Sequence, residues 1–149
     1  MLFSWLRRRR RQSILARPFP LSWRKTLERG VRHYRHLPDA HRANVEAVVQ
    51  VLAAEKQWVG YDVDVAETMQ VVIAGNAALL TLGLGRPYFF DDLPTIIIHQ
   101  GMIVRSAEKA VENPWIGGAG VFLGEMLPRG PVALSWSAIE REMQGRAPG

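Results

Sequence analysis

The sequence predicts an α+β fold in which helices come first and a small mixed sheet follows. Three observations carry this. Residues 18 to 82 hold three stretches of helical periodicity. Short β-branched runs flanked by Gly and Pro are confined to later positions, above all Thr95-Ile96-Ile97-Ile98. No internal repeat or alternation of strand with helix suggests βαβ units, so segregated layers are favoured. At 149 residues, 48% of them hydrophobic, the chain has the length of one domain and enough apolar surface for a core.

The elements follow in order. Arg7 to Arg11 form a like-charged run that repels itself, so residues 1–17 are expected to be a disordered basic tail. Pro18-Phe19-Pro20 ends it. Trp23, Leu27 and Val31, four apart, make one face of a short helix that Gly30 weakens at its end. His33 to Pro38 breaks the pattern, and Asp39 is the expected N-cap of a second helix. Val45, Val48, Val49 and Leu52 give that helix an inward stripe. Trp58 to Val63 reads as a strand or extended turn around Gly60. Asp64 and Glu67 have capping-box spacing before a helix from Val65 to Leu82 that is apolar nearly all round, as centrally buried helices are. Gly83, Gly85 and Pro87 end it.

Thr95 to Ile98 predicts a strand buried on both faces. Ser106 to Gly118 reads as a loop with a marginal helix near Ala107 to Val111. Ala119 to Leu123 and Val132 to Trp136 are expected strands, separated by the turn Pro128-Arg129-Gly130-Pro131. Ser137, with Glu140 three residues on, is expected to cap a last helical turn or two.

Composition excludes several functions. No cysteine is present, so there is no disulfide framework, thiolate nucleophile or zinc-cysteine site, as suits a cytoplasmic protein. The net charge of +5 is local: without Arg7 to Arg11 the basic and acidic residues balance at 14 each. Specific nucleic-acid binding is therefore not indicated, since basic residues elsewhere are neither clustered nor interleaved with aromatics. The order apolar then basic at the amino end is the reverse of a signal peptide, and no window reaches the roughly 20 apolar residues of a membrane span. The apolar and basic residues together leave a weak contact with an anionic membrane open.

Candidate chemistry is sparse. His33, His36 and His41 straddle Pro38 without a fourth ligand nearby, and solvated surface histidines account for them better than zinc does. His99 closes a strand, where a general base and a structural histidine are both possible readings, but no Ser or Cys nucleophile is marked by a motif. Gly118, Gly120 and Gly124 imitate a dinucleotide loop, yet Pro128 and Pro131 forbid the helix that such a loop must enter. His-Glu-x-x-His is absent from the sequence.

One resemblance covers most of the chain. Pro18-Phe19-Pro20 with Trp23, Lys56 to Gly60, Ile73 to Leu80, Tyr88, Ile96 to Ile98, Leu123-Gly124-Glu125, and Gly130-Pro131-Val132 with Leu134-Ser135-Trp136 occur in an order and spacing similar to those of the Mlc titration factor A-like (MtfA-like) zinc peptidases. The resemblance implies the N-terminal part of a gluzincin-like zincin fold over residues 18–149. It further implies a cytoplasmic, zinc-dependent peptidase of aminopeptidase type, associated with a glucose-responsive transcriptional repressor. That family's zinc ligands and catalytic Glu are expected beyond Gly149, so the chain is expected to be an amino-terminal fragment or truncated form, inactive alone and without a cofactor of its own. The alternative is a non-enzymatic module that binds the repressor or another protein. His99-Gln100 stands where the family pattern has Tyr-Pro. By analogy with zincins, Val132, Ala133, Leu134, Ser135 and Trp136 are the candidate strand that pairs with an extended peptide substrate. The competing reading is an ordinary core strand with Val132, Leu134 and Trp136 on one face.

Overall fold

The computed structural model describes residues 2–101, 124–126 and 131–145. Two compact units are formed, one from Met1–Glu55 with Gln70–Phe89, the other from Lys56–Met69 with Phe90–Gly149.

The first unit is helical. Its opening element corrects the expectation of a disordered tail over residues 1–17, because Leu2–Leu15 form helix α1. The cause is a partner far away in sequence. Arg11 donates from Nε and Nη2 to the two carboxylate oxygens of Glu55, at 2.8 and 3.0 Å. Such a paired, two-point contact fixes direction as well as distance. The guanidinium also lies 4.7 Å from the centre of the Phe89 ring. Ile14 is buried one turn further on, and Gln50 holds the carbonyl of Arg17.

Helix α2 spans Leu21–Gly30. Its entry is set by Pro20, whose extended backbone precedes the first turn, and by Phe19 meeting Trp23 edge to face. Leu27 and Val31 are buried, as the spacing predicts, whereas Trp23 is only partly covered. The break at His33 is real: it takes a left-handed φ of 68° and starts a 3₁₀ turn over Tyr34–His36.

Helix α3, Asp39–Glu55, buries Val45, Val48, Val49 and Leu52, with Val51 in addition. Asp39 is the first helical residue and not the cap. Its carboxylate accepts from Arg42 at 2.7 Å, an exposed pair worth little stability. Helix α4 runs from Glu67–Leu80, shorter at both ends than predicted, and Met69 N–H bonds the carbonyl of Ala66. It buries a continuous run from Val71 to Asn76. Asn76 satisfies its buried amide by donating back to the Val72 carbonyl. A short 3₁₀ turn over Leu82–Leu84 then ends on Gly85 in the left-handed region.

A shared acceptor orders the surface between α2 and α3. Oε1 of Glu46 takes a hydrogen bond from Arg24 Nε at 3.1 Å and another from the Tyr34 hydroxyl at 3.0 Å. With Asp39 and Arg42 these groups line a cleft of about 340 Å³. Tyr34 is 1% exposed. Burial, with the Glu46 charge beside it, pushes its phenol up to about 12. The folded protein thus keeps a proton that the unfolded chain releases near pH 10. This contribution is complete below pH 10 and is lost as pH rises through about 12, amounting to on the order of 2 kcal/mol. Denaturant melts at rising alkaline pH should show wild type losing this increment and Tyr34→Phe not losing it. Equal slopes for the two proteins would refute the assignment.

The second unit is built on a four-stranded sheet of order β1-β2-β4-β3. Its strands are β1 (Gln57–Tyr61), β2 (Thr95–His99), β3 (Gly124–Met126) and β4 (Val132–Ser135). The first, second and fourth are parallel; β3 is antiparallel to β4. Sheet and helices together bear out the α+β class and the mixed sheet. Ile96 and Ile98 fill one face of β2, while Ile97 is half-buried on the other. At Gly60 the chain folds back so closely that any Cβ would strike the carbonyl oxygen of Val63. Lys56 is buried at the start of β1, and its ammonium donates to the carbonyl of Phe90, itself at φ 52°. The expected helix near Ala107 to Val111 and strand from Ala119 to Leu123 lie outside the described residues.

Candidate functional site

The carboxyl ends of parallel strands are where open sheets gather ligands, because the chain turns away there and leaves backbone groups available. Register puts Tyr61, His99 and Ser135 in one row at these ends. The His99 ring lies 5.0 Å from that of Tyr61, tilted by 49°. Asp62, next in the chain, adopts φ 56° and accepts the Gln100 N–H at 3.0 Å. The Gln100 carbonyl in turn accepts the N–H of Ser137 at 2.9 Å.

His99-Gln100, where the resemblance implied Tyr-Pro, uses the N–H of Gln100 in this turn. A proline at position 100 has no N–H to give Asp62, so His99-Gln100 closes the turn by a hydrogen bond that Tyr-Pro could not make. Through this one residue the end of β1 is tied to the start of the last helix.

That helix, α5, spans Trp136–Gly145 and follows β4 with no intervening loop. Ser135, the last strand residue, is its cap: Oγ accepts the Ala138 N–H at 3.3 Å and lies 3.2 Å from Ser137 Oγ. The cap therefore sits two residues before the expected Ser137. Trp136 and Ile139 are buried, and α5 is longer than the turn or two expected.

Sheet order corrects the substrate-strand expectation. Val132 to Ser135 pair with Ile96 to His99 on one side, and Val132 to Leu134 pair with Met126 to Gly124 on the other. Trp136 has already become helical. A strand with both edges bonded has no groups left for an extended peptide, so Val132, Ala133, Leu134, Ser135 and Trp136 form an interior strand and a helix start. The outer strand at that side is β3, which among the described residues has β4 as its partner. Edge or interior position depends on strand order, which local spacing does not encode.

The histidines do not converge. His33 begins the 3₁₀ turn, His36 ends it, and His41 lies in the first turn of α3. Among the described residues no three His, Asp or Glu side chains come together as a metal would require. Those described residues do not make up a zinc site, and no reaction step through zinc is derived from them.

Comparison with known proteins supplies the identity that geometry alone does not. The chain is 33% identical over 97 residues to uncharacterized protein slr2042 of Synechocystis sp. (strain ATCC 27184 / PCC 6803 / Kazusa), a match covering 64% of this chain and 34% of that protein. The chain thus spans about a third of the curated relative's length. No solved structure matches it. The family described as glucose-regulated metallo-peptidase M90 matches residues 4–149, in keeping with the N-terminal part of a zincin-like fold. The chain belongs to the glucose-regulated metallo-peptidase M90 family.

Proposed function

We propose that these residues are the N-terminal scaffold of a cytoplasmic, zinc-dependent peptidase of aminopeptidase type, inactive without a His-Glu-x-x-His segment that they do not contain. The observation that carries this reading is the family match over residues 4–149, joined to a sheet whose antiparallel outer strand β3 precedes β4 and α5. In the complete enzyme an extended peptide would lie along the outer edge of β3, where main-chain hydrogen bonds serve any sequence and so suit a peptidase. This moves the substrate strand from β4 to β3. The glucose-responsive repressor implied by the family resemblance would be a protein partner of the same scaffold.

Two measurements test it together. The reading frame past the Gly149 codon is expected to encode His-Glu-x-x-His within about 15 codons, since that motif holds the metal and its water. The 149-residue chain is expected to show no zinc-dependent cleavage of aminoacyl or peptide substrates, and the extended chain to show it. Absence of the motif in every frame would overturn the reading. In that case a non-enzymatic module would be left, and its mark would be direct, zinc-independent binding of a repressor by the purified chain.

A further inference from the structure

Helix α1 divides into two parts with different environments. Its later part is tied down by Ile14 and by the Arg11–Glu55 pair. Its earlier part is not covered: Leu2, Phe3, Trp5 and Leu6 are 66%, 80%, 51% and 47% exposed. Four large apolar side chains thus lie within five positions, and scattered single exposures are the norm for a folded surface. Immediately behind them Arg8, Arg9 and Arg10 are exposed as well. The Arg9 guanidinium sits 5.2 Å from the centre of the Trp5 ring.

The sequence of environments along the helix axis is therefore an apolar tip, a cationic collar, then an anchored base. From Leu2 to Leu6 the axis advances about 6 Å at 1.5 Å per residue. Helices lying in the membrane plane bury their apolar faces roughly 5–10 Å into the boundary between headgroups and acyl chains, and an apolar tip of this length entering end-on reaches a comparable depth. A collar of guanidiniums placed one turn above the tip then stands at the level of lipid phosphates, which Arg binds in a planar, two-point manner. The aromatic ring of Trp5 beside a cation is suited to the same zone, since indole is apolar with one polar N–H.

We infer that the first turn and a half of α1 is a peripheral membrane anchor, which inserts Leu2, Phe3, Trp5 and Leu6 into a bilayer rich in anionic phospholipid while Arg8, Arg9 and Arg10 engage its phosphates. The occupant is selected by charge and polarity together. A second copy of this chain would bring arginine against arginine. A nucleic acid would satisfy the arginines and leave the aliphatic Leu2 and Leu6 in water. A lipid surface accepts both halves. No helix among the described residues is long and apolar enough to cross a membrane, so the contact is with one leaflet.

The test is co-sedimentation of the whole chain with vesicles of phosphatidylcholine alone, or of phosphatidylcholine and phosphatidylglycerol in equal parts. The wild type should partition to the anionic vesicles at least tenfold more strongly, since each basic residue near such a surface contributes about a factor of five. Changing Arg8, Arg9 and Arg10 together to Gln, with Arg7 kept, should cut that preference tenfold or more. Changing Leu2, Phe3, Trp5 and Leu6 together to Ser should weaken binding tenfold or more with every arginine retained. Both variants keep Ile14 and the Arg11–Glu55 pair, and unchanged circular dichroism would establish that they remain folded. Brominated acyl chains should quench wild-type tryptophan emission, and Trp5→Phe should remove the quenching. Failure to bind anionic vesicles, a Ser-tipped variant that binds as tightly as wild type, or duplex DNA bound more tightly than vesicles would each overturn the assignment.

Discussion

Gly60→Ala is expected to unfold the sheet-bearing unit at ambient temperature or bring it close to that point. A Cβ at position 60 would lie inside the contact radius of the Val63 carbonyl oxygen and only 3.2 Å from a methyl of Val65. The obstructing atom is backbone, which cannot rotate aside as a side chain does. Relief requires either β1 to leave its register with β2, where Gly60 opposes Ile98, or the Val63 turn to open. Each route breaks several hydrogen bonds, so a loss of about 3 kcal/mol or more is expected, at the severe end for a single substitution. Thermal denaturation monitored through hydrogen exchange of the β1 and β2 amides would measure it. Protection of those amides equal to wild type would show that the turn is far more compliant than its geometry implies.

The second large effect is a coupled one, between Leu27 and Gly75. Leu27 is 0% exposed, and a Cβ built on Gly75 would come within 2.6 Å of its Cδ2 and 2.8 Å of Val31 Cγ2. Helix α4 approaches α2 this closely because position 75 has no side chain. Leu27→Ala should cost about 2–5 kcal/mol, the transfer term plus the cavity left behind. Gly75→Ala alone should also destabilise. Alanine gains about 1 kcal/mol of helix propensity over glycine, but the branched Val31 side chain has little rotamer freedom with which to yield. Combined, the two changes should destabilise less than their sum, because the added methyl enters space that the leucine vacated. The double-mutant cycle in denaturant measures this directly, and strict additivity would refute the contact.

Much of the fold was legible locally. The Val45, Val48, Val49, Leu52 stripe on α3 and the apolar α4 declare their burial through period and composition, whereas the β-branched run Thr95 to Ile98 declares a strand but is buried at Ile96 and Ile98 on one face and not on both as expected. What was not legible depends on partners distant in sequence. Five consecutive arginines read as a repelling tail until Arg11 meets Glu55, 44 residues later. Asp39 and Ser137 have cap chemistry, yet the helices begin at Asp39 itself and at Trp136, since packing sets the first helical residue. Spacing identified β4 as a strand but could not reveal that β3 closes its second edge. The family was legible because motif order survives in sequence. A metal centre was not, because no position of this chain carries the motif that would hold one.

The direct passage from β4 into α5 has a geometric consequence. A slip of one residue along a strand exchanges its two faces, whereas one residue along a helix turns its azimuth by about 100°. With no loop between them, Ser135 and Trp136 make the pairing offset of the sheet and the compass bearing of the helix a single variable. The helix thus inherits its orientation from the ladder to β2 and β3, and Gln100, bonded to both Asp62 and Ser137, checks that bearing from a second point.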